Sequence, residues 1–477
     1  MRFPGAGAGV GAIALLLAAC TLAPTYHQPP PPAQIESFKE AGDWAPAQPA
    51  DTQSRGPWWS AFGEPRLDEL ERTLHDSNPD LRAALARFEQ ARALALSARS
   101  NVFPSVGASA SGKRERLSGN APVAGAGATF NDFITSLNLS WEIDVFGRLR
   151  SEAAAAGARA QASNADLSAI TLALEAELAN DYFSLRGADA QLRLLADTVR
   201  TYDRAYELTR DRYEGAIAAA ADVAQADTQR QNARAQLAAV RLQRAQLEHA
   251  IAVLLGRVPA GFALEAGELA GAPPAIDPGL PSTLLQRRPD VASAERAVAA
   301  ANAEIGVARA AWFPVFTLTG AAGFESSLAS SWVTAPSRFW SVGPSGQVPL
   351  LDLGARTALN RRARAAYDEA VAQYRKATLT AYQEVEDNLA ALHHIADELA
   401  ADEAAAASAQ RAAYHADRRY SAGVADYIEV TTTQTAALQA ERAALDARVA
   451  RINAAIGLVR ATGGGWSRES LASASRQ

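Results

Sequence analysis

The stretch Phe133-Ile134-Thr135-Ser136-Leu137-Asn138-Leu139-Ser140-Trp141-Glu142-Ile143-Asp144-Val145 decides the fold. Phe133, Thr135, Leu137, Leu139, Trp141, Ile143 and Val145 alternate with Ile134, Ser136, Asn138, Ser140, Glu142 and Asp144. A period of two, with one apolar and one mainly polar face, is the pattern of a β-strand whose faces meet different surroundings. Phe103 to Arg114 supply a partner strand. In the second half Phe313 to Phe324 precede a segment in which Trp340, Val342, Val348 and Leu350 oppose Ser341, Ser345 and Gln347. Strands of about ten residues cross a bilayer when tilted. Four of them cannot close, because the smallest membrane barrels have about eight, and an open edge in lipid leaves backbone groups unsatisfied. If these strands cross a membrane, other copies complete them, and three chains give twelve strands. Half of a soluble sandwich is the competing arrangement, but no further strands are available for a second sheet.

Outward from the strands, the chain is duplicated. Pro79 and Pro289 open helical runs, and Pro104 and Pro314 follow their ends, both pairs 210 residues apart. Gly147 and Gly354, like Tyr213 and Tyr420, are 207 apart. Each repeat has a helix (Pro79 to Asn101; Pro289 to Ala311), two strands, then a long Ala-rich helix (Arg150 to Tyr213; Arg356 to Tyr420) without proline. Some 64 residues of helix span roughly 95 Å, which implies coiled-coil packing. The chain breaks near Gly215 and Gly423 and returns as Asp222 to Leu255 and Tyr427 to Ala461. The expected organisation is a signal peptide (1–19), an extended leader (20–57), repeat one (58–256), a linker (257–281), repeat two (282–462) and a C-terminal tail (463–477). The fold class is mostly α with a transmembrane β-barrel.

The 477 residues carry 46 Lys and Arg against 52 Asp and Glu, a net charge of −6, which speaks against nucleic-acid binding. One cysteine and six scattered histidines give no Cys cluster and no HExxH, so no metal site, cofactor or enzymatic chemistry is expected. Arg2 and the short apolar run Gly9 to Ala19 form a signal peptide. It ends at Leu17-Ala18-Ala19-Cys20, which matches a lipobox and makes Cys20 the lipidation site, with outer-membrane sorting suggested by Thr21. No other run of about 18 apolar residues exists, so any crossing uses strands.

Gly56-Pro57-Trp58-Trp59-Ser60-Ala61-Phe62-Gly63-Glu64-Pro65-Arg66-Leu67, then Leu284-Leu285-Gln286-Arg287-Arg288-Pro289-Asp290-Val291 with Ala294-Glu295, resemble the signature lines of TolC-type outer membrane efflux lipoproteins of the NodT class. Glu64 stands where that family has Asp, and Leu117 to Ala128 match nothing in it. The resemblance covers nearly the whole chain. It implies a homotrimer with a 12-stranded barrel in outer-membrane lipid and an α-helical coiled-coil barrel through the periplasm. It also implies two partners, a periplasmic adaptor (membrane fusion protein) and an inner-membrane transporter of the RND type. The function it implies is the exit duct of a tripartite efflux pump. A type I protein secretion duct and a periplasmic coiled-coil scaffold lipoprotein are the alternatives.

In such a duct the functional residues shape the gate at the periplasmic helix tips. Asp426 resembles the family's acidic residue at that constriction, where three copies would form a ring of negative potential. An Asp before a helix is also an N-cap, and both roles can coexist. Glu429 and Asp222 are further candidates, with a solvated face as the alternative. Arg212, Tyr213, Arg419 and Tyr420 stand one turn before the breaks, placed to bridge helices or merely to pack. Gly215 and Gly423 are expected to end their helices in the left-handed conformation. His393 and His394, about 100° apart on a helix, are expected to be solvated and not to share a metal. Trp58 and Trp59 are expected to pack on helices, and Trp141 and Trp340 to join the barrel's aromatic girdle.

Overall fold

The computed structural model describes residues 22–31, 37–41, 57–120, 122, 126–269, 271–274 and 287–464. The signal peptide, Cys20, part of the linker and residues 465–477 lie outside them. The helices are α1 (Pro65–Ser77), α2 (Pro79–Ser100), α3 (Arg148–Glu214), α4 (Ala220–Leu254), α5 (Pro289–Ala310), α6 (Ala355–Ser421) and α7 (Tyr427–Ala461). The strands are β1 (Ser105–Arg116), β2 (Thr129–Ile143), β3 (Val315–Ser326) and β4 (Arg338–Gln347). The duplication is visible in the lengths: α2 and α5 have 22 residues, α3 and α6 have 67, α4 and α7 have 35, and β1 and β3 have 12.

Two compact units form, each taking segments from both repeats. The first contains Arg87–Ser163, Ser293–Arg375 and the leader up to Pro30. Its sheet is antiparallel throughout, in the order β1-β2-β3-β4. Leu139 lies opposite Val106 and Gly320, Leu137 opposite Ala108 and Ala322, and Ala322 opposite Trp340, so one face is apolar across all four strands. The other face carries Ser105, Ser109, Ser136, Asn138, Ser140, Thr317, Thr319 and Ser341. There the Asn138 amide donates to Ser109 Oγ at 3.0 Å, and the Ser109 and Ser136 hydroxyls are 3.1 Å apart. Among the described residues β1 and β4 are edges. Exposed Leu137, Val106, Val342 and Trp340, the last 78% exposed, give the apolar face its character.

The strands depart from expectation at their ends. β1 and β3 begin two residues later than expected, and β2 ends at Ile143, before Asp144 and Val145. Asp144 instead caps α3, its carboxylate accepting from the Leu149 and Arg150 N–H groups at 3.2 and 2.9 Å. β4 stops at Gln347, so Val348 and Leu350 lie past the sheet. There Asp352 takes the Arg356 N–H at 3.1 Å as α6 begins.

The leader follows one stripe of α5. Asn302 Nδ2 donates to the Pro24 carbonyl at 2.8 Å, Arg309 to the Leu22 carbonyl at 3.2 Å, and the Tyr26 hydroxyl bonds the Glu295 carboxylate. Gly306 permits this approach, since a Cβ there would come within 2.6 Å of the Ala23 Cβ.

The second unit contains Pro31–Ala86, Asn164–Ala292 and the chain from Lys376 on. α1 was not expected from the sequence, although Leu67, Leu70 and Leu74, all buried, recur at helical spacing behind Pro65. Trp58 and Trp59 pack as expected: the Trp58 indole donates to Glu175 Oε2 at 2.9 Å, and His75 Nε2 lies 3.0 Å from Glu175 Oε1. Glu64 accepts the Tyr182 hydroxyl at 2.9 Å, which gives its longer side chain a structural role. Glu71 is fully buried with both oxygens unpartnered. Burial, reinforced by Glu175 and Asp68, pushes its carboxyl up to about 10, so it is neutral at neutral pH. Arg288, of the Arg-Pro-Asp line, joins Asp290 and Glu384, both at 2.6 Å, to the Ala461 carbonyl at 3.2 Å, and so clamps the end of α7.

Candidate gate at the helix tips

α3–α4 and α6–α7 each reverse through the same capping turn. In repeat two the N–H of Gly423 bonds the Tyr420 carbonyl and that of Val424 bonds the Arg419 carbonyl, both at 3.0 Å. In repeat one Ala216 bonds Tyr213 at 2.9 Å and Ile217 bonds Arg212 at 2.8 Å. These are the paired bonds of a Schellman motif, whose closing residue adopts positive φ. Gly423 meets the expectation, with φ of 77°. Gly215 does not: the left-handed residue is Ala216, with φ of 58°. The bonding pattern puts Gly215 one position too early, and repeat one carries an alanine where the Cβ penalty of about 1–2 kcal/mol applies.

The second helices begin differently. Asp222 reaches back to the Ala219 N–H at 3.2 Å, completing half of a capping box for α4. Asp426 occupies the N-cap position of α7 with extended backbone, but its side chain makes no capping bond. It is exposed. The side-chain cap, the alternative to a gate role for Asp426, is not formed.

Among the other candidates, Arg212 and Tyr420 come together. Arg212 leaves α3 to donate to the Tyr420 and Ser421 carbonyls at 3.2 and 3.3 Å, and its guanidinium lies 4.5 Å from the Tyr420 ring centre. The end of α6 thus receives a cation at its negative pole, from the other repeat. Tyr420 is buried with Ala226, Ala416, Tyr427 and Val430, its ring 5.2 Å from that of Tyr427 in an edge-on contact. Burial, with Tyr420 alongside, pushes the Tyr427 hydroxyl up to about 12, so Tyr427 carries no phenolate charge at neutral pH. Arg419 pairs with Glu429 at 2.7 Å, within its own hairpin and largely exposed. Tyr213, the counterpart of Tyr420, is 49% exposed.

Several contributors were not singled out from the sequence. Arg230 stacks 3.9 Å from the Tyr206 ring centre, and Gln229 ties α4 to the Thr431 carbonyl and Thr435 hydroxyl of α7 at 2.9 and 3.0 Å. Their helical spacing to Ala226 was the available signal. Away from the tips, His393 and His394 are exposed, as expected, and one donor atom from each, with one from Asp397, lies within 4.8 Å of the others. Among the described residues no helix is long and apolar enough to cross a membrane.

The outer membrane efflux protein family matches residues 71–257 and 280–464. The toluene efflux pump outer membrane protein TtgC of Pseudomonas putida is 33% identical over 460 residues, which are 95% of this chain and 94% of that protein. The outer membrane protein OprJ of Pseudomonas aeruginosa is 34% identical over 469 residues, 98% of this chain and 97% of its own length. The solved structure of the outer-membrane channel OprN superimposes with a TM-score of 0.87 and 30% identity, covering 94% of this chain and all of that one. With repeats, sheet and helical hairpins in agreement, the chain belongs to the outer membrane efflux protein family and is an outer-membrane efflux channel.

Proposed function

We propose that three copies assemble into a 12-stranded barrel continued by a helical barrel, forming the exit duct of a tripartite efflux pump for small molecules. One observation carries the reading. The sheet has an apolar and a polar face and two edge strands, so its burial in lipid requires neighbours on both sides. Cys20 anchors the chain in this reading. The leader supports it, because Leu22 is held by Arg309, near the β3 end where helices join the sheet. The partners are a periplasmic adaptor and an inner-membrane transporter of the RND type. No covalent chemistry is assigned to the chain.

In the same reading the helix tips are the gate. Asp426 is exposed and free of capping duty, so three copies around an axis would form a negative ring that selects cations. Arg212 and Tyr420 hold the α6 end against α3, Asp222 caps the start of α4, and Glu429 ties the first turn of α7 to Arg419 at the end of α6. Single-channel conductance of wild type and Asp426→Ala tests both parts. Small cation-selective conductance that loses selectivity in the variant is expected. Unchanged selectivity would remove Asp426 from the gate, and no conductance from folded protein in either form would favour a scaffold lipoprotein.

A further inference from the structure

A leader turn and a helix stripe meet where no function has been assigned. The turn Lys39–Ala41 sits on α6 through Glu386, whose carboxylate accepts the Lys39 and Glu40 N–H groups at 2.8 and 2.9 Å. His393 and Asp397 continue the Glu386 stripe seven and eleven residues on, and Asp397 stands four residues from His393 and three from His394. The three side chains are exposed, and one donor atom from each lies within 4.8 Å of the others. Two imidazole nitrogens with carboxylate oxygens suit zinc, nickel or copper(II), not calcium or magnesium. Zinc bonds of about 2.0–2.1 Å place neighbouring donors roughly 3.3 Å apart, so binding would draw these three donors, now within 4.8 Å of one another, closer together.

We propose that His393, His394 and Asp397 bind a divalent transition-metal ion, with water completing its coordination. The site is independent of the duct reading, since nothing in it involves the sheet or the tips.

The test is zinc chloride titrated by calorimetry into the full-length chain in detergent, purified without a histidine tag and stripped with chelator. One saturable site per chain at micromolar affinity is expected. The double variant His394→Ala, Asp397→Asn should bind at least tenfold more weakly while melting like wild type in chelator. Absence of saturable binding, or unchanged affinity in the double variant, would overturn the site.

Discussion

The two helical hairpins have helices of 67 and 35 residues and close with the same pair of hydrogen bonds, yet their tips are not equivalent. In repeat two a buried tyrosine, a glycine in the left-handed position and an uncapped aspartate occupy positions 420, 423 and 426. In repeat one the counterparts are an exposed tyrosine, a strained alanine and an alanine. Arg212 crosses from repeat one to hold the end of α6, whereas Arg419 stays within its own hairpin. Duplication gave two equal hairpins, and divergence made one the holder and the other the held.

The largest test of that asymmetry is aromatic deletion. Tyr420→Ala removes a buried ring and its cation contact and should cost about 3 kcal/mol locally, whereas Tyr213→Ala, at an exposed position, should stay within about 0.5 kcal/mol. Amide exchange across Tyr427–Val430 reads both, and equal losses would break the comparison. Next come the arginines. Arg212→Met should loosen the α6 end by about 1–2 kcal/mol, since two carbonyl bonds and a ring contact go together. Arg419→Met removes an exposed ion pair worth less than about 1 kcal/mol. Exchange at Ala422 and Gly423 separates the two. The smallest effect is in the turns: Ala216→Gly should relieve about 1 kcal/mol of strain, and Gly423→Ala should introduce a similar cost. Limited proteolysis at each tip should therefore move in opposite directions.

Much of this was legible in the sequence because periodicity and repetition are written in residue spacing. The 210- and 207-residue offsets located every paired element, and alternation in β2 gave the faces that the register extends across the sheet. The ends were less legible: Asp144 leaves β2 to cap the next helix, a contact that spacing does not encode, and β4 stops five residues before Asp352, which caps its own next helix. At the tips the candidate residues were identifiable but their partners were not. That Arg212 serves Tyr420 depends on the packing of α3 against α6, more than 200 residues apart in the chain. Gly215 was misleading because a glycine one residue before the left-handed position looks the same in sequence as one at it.

The most direct measurement is single-channel conductance of two paired variants, Arg212→Met with Tyr420→Ala and Arg419→Met with Tyr213→Ala. If the contact between repeats holds the tips closed, the first pair should conduct several-fold more than wild type and the second should match it. Equal conductance in the two pairs would contradict the assignment of the gate to the Arg212–Tyr420 contact.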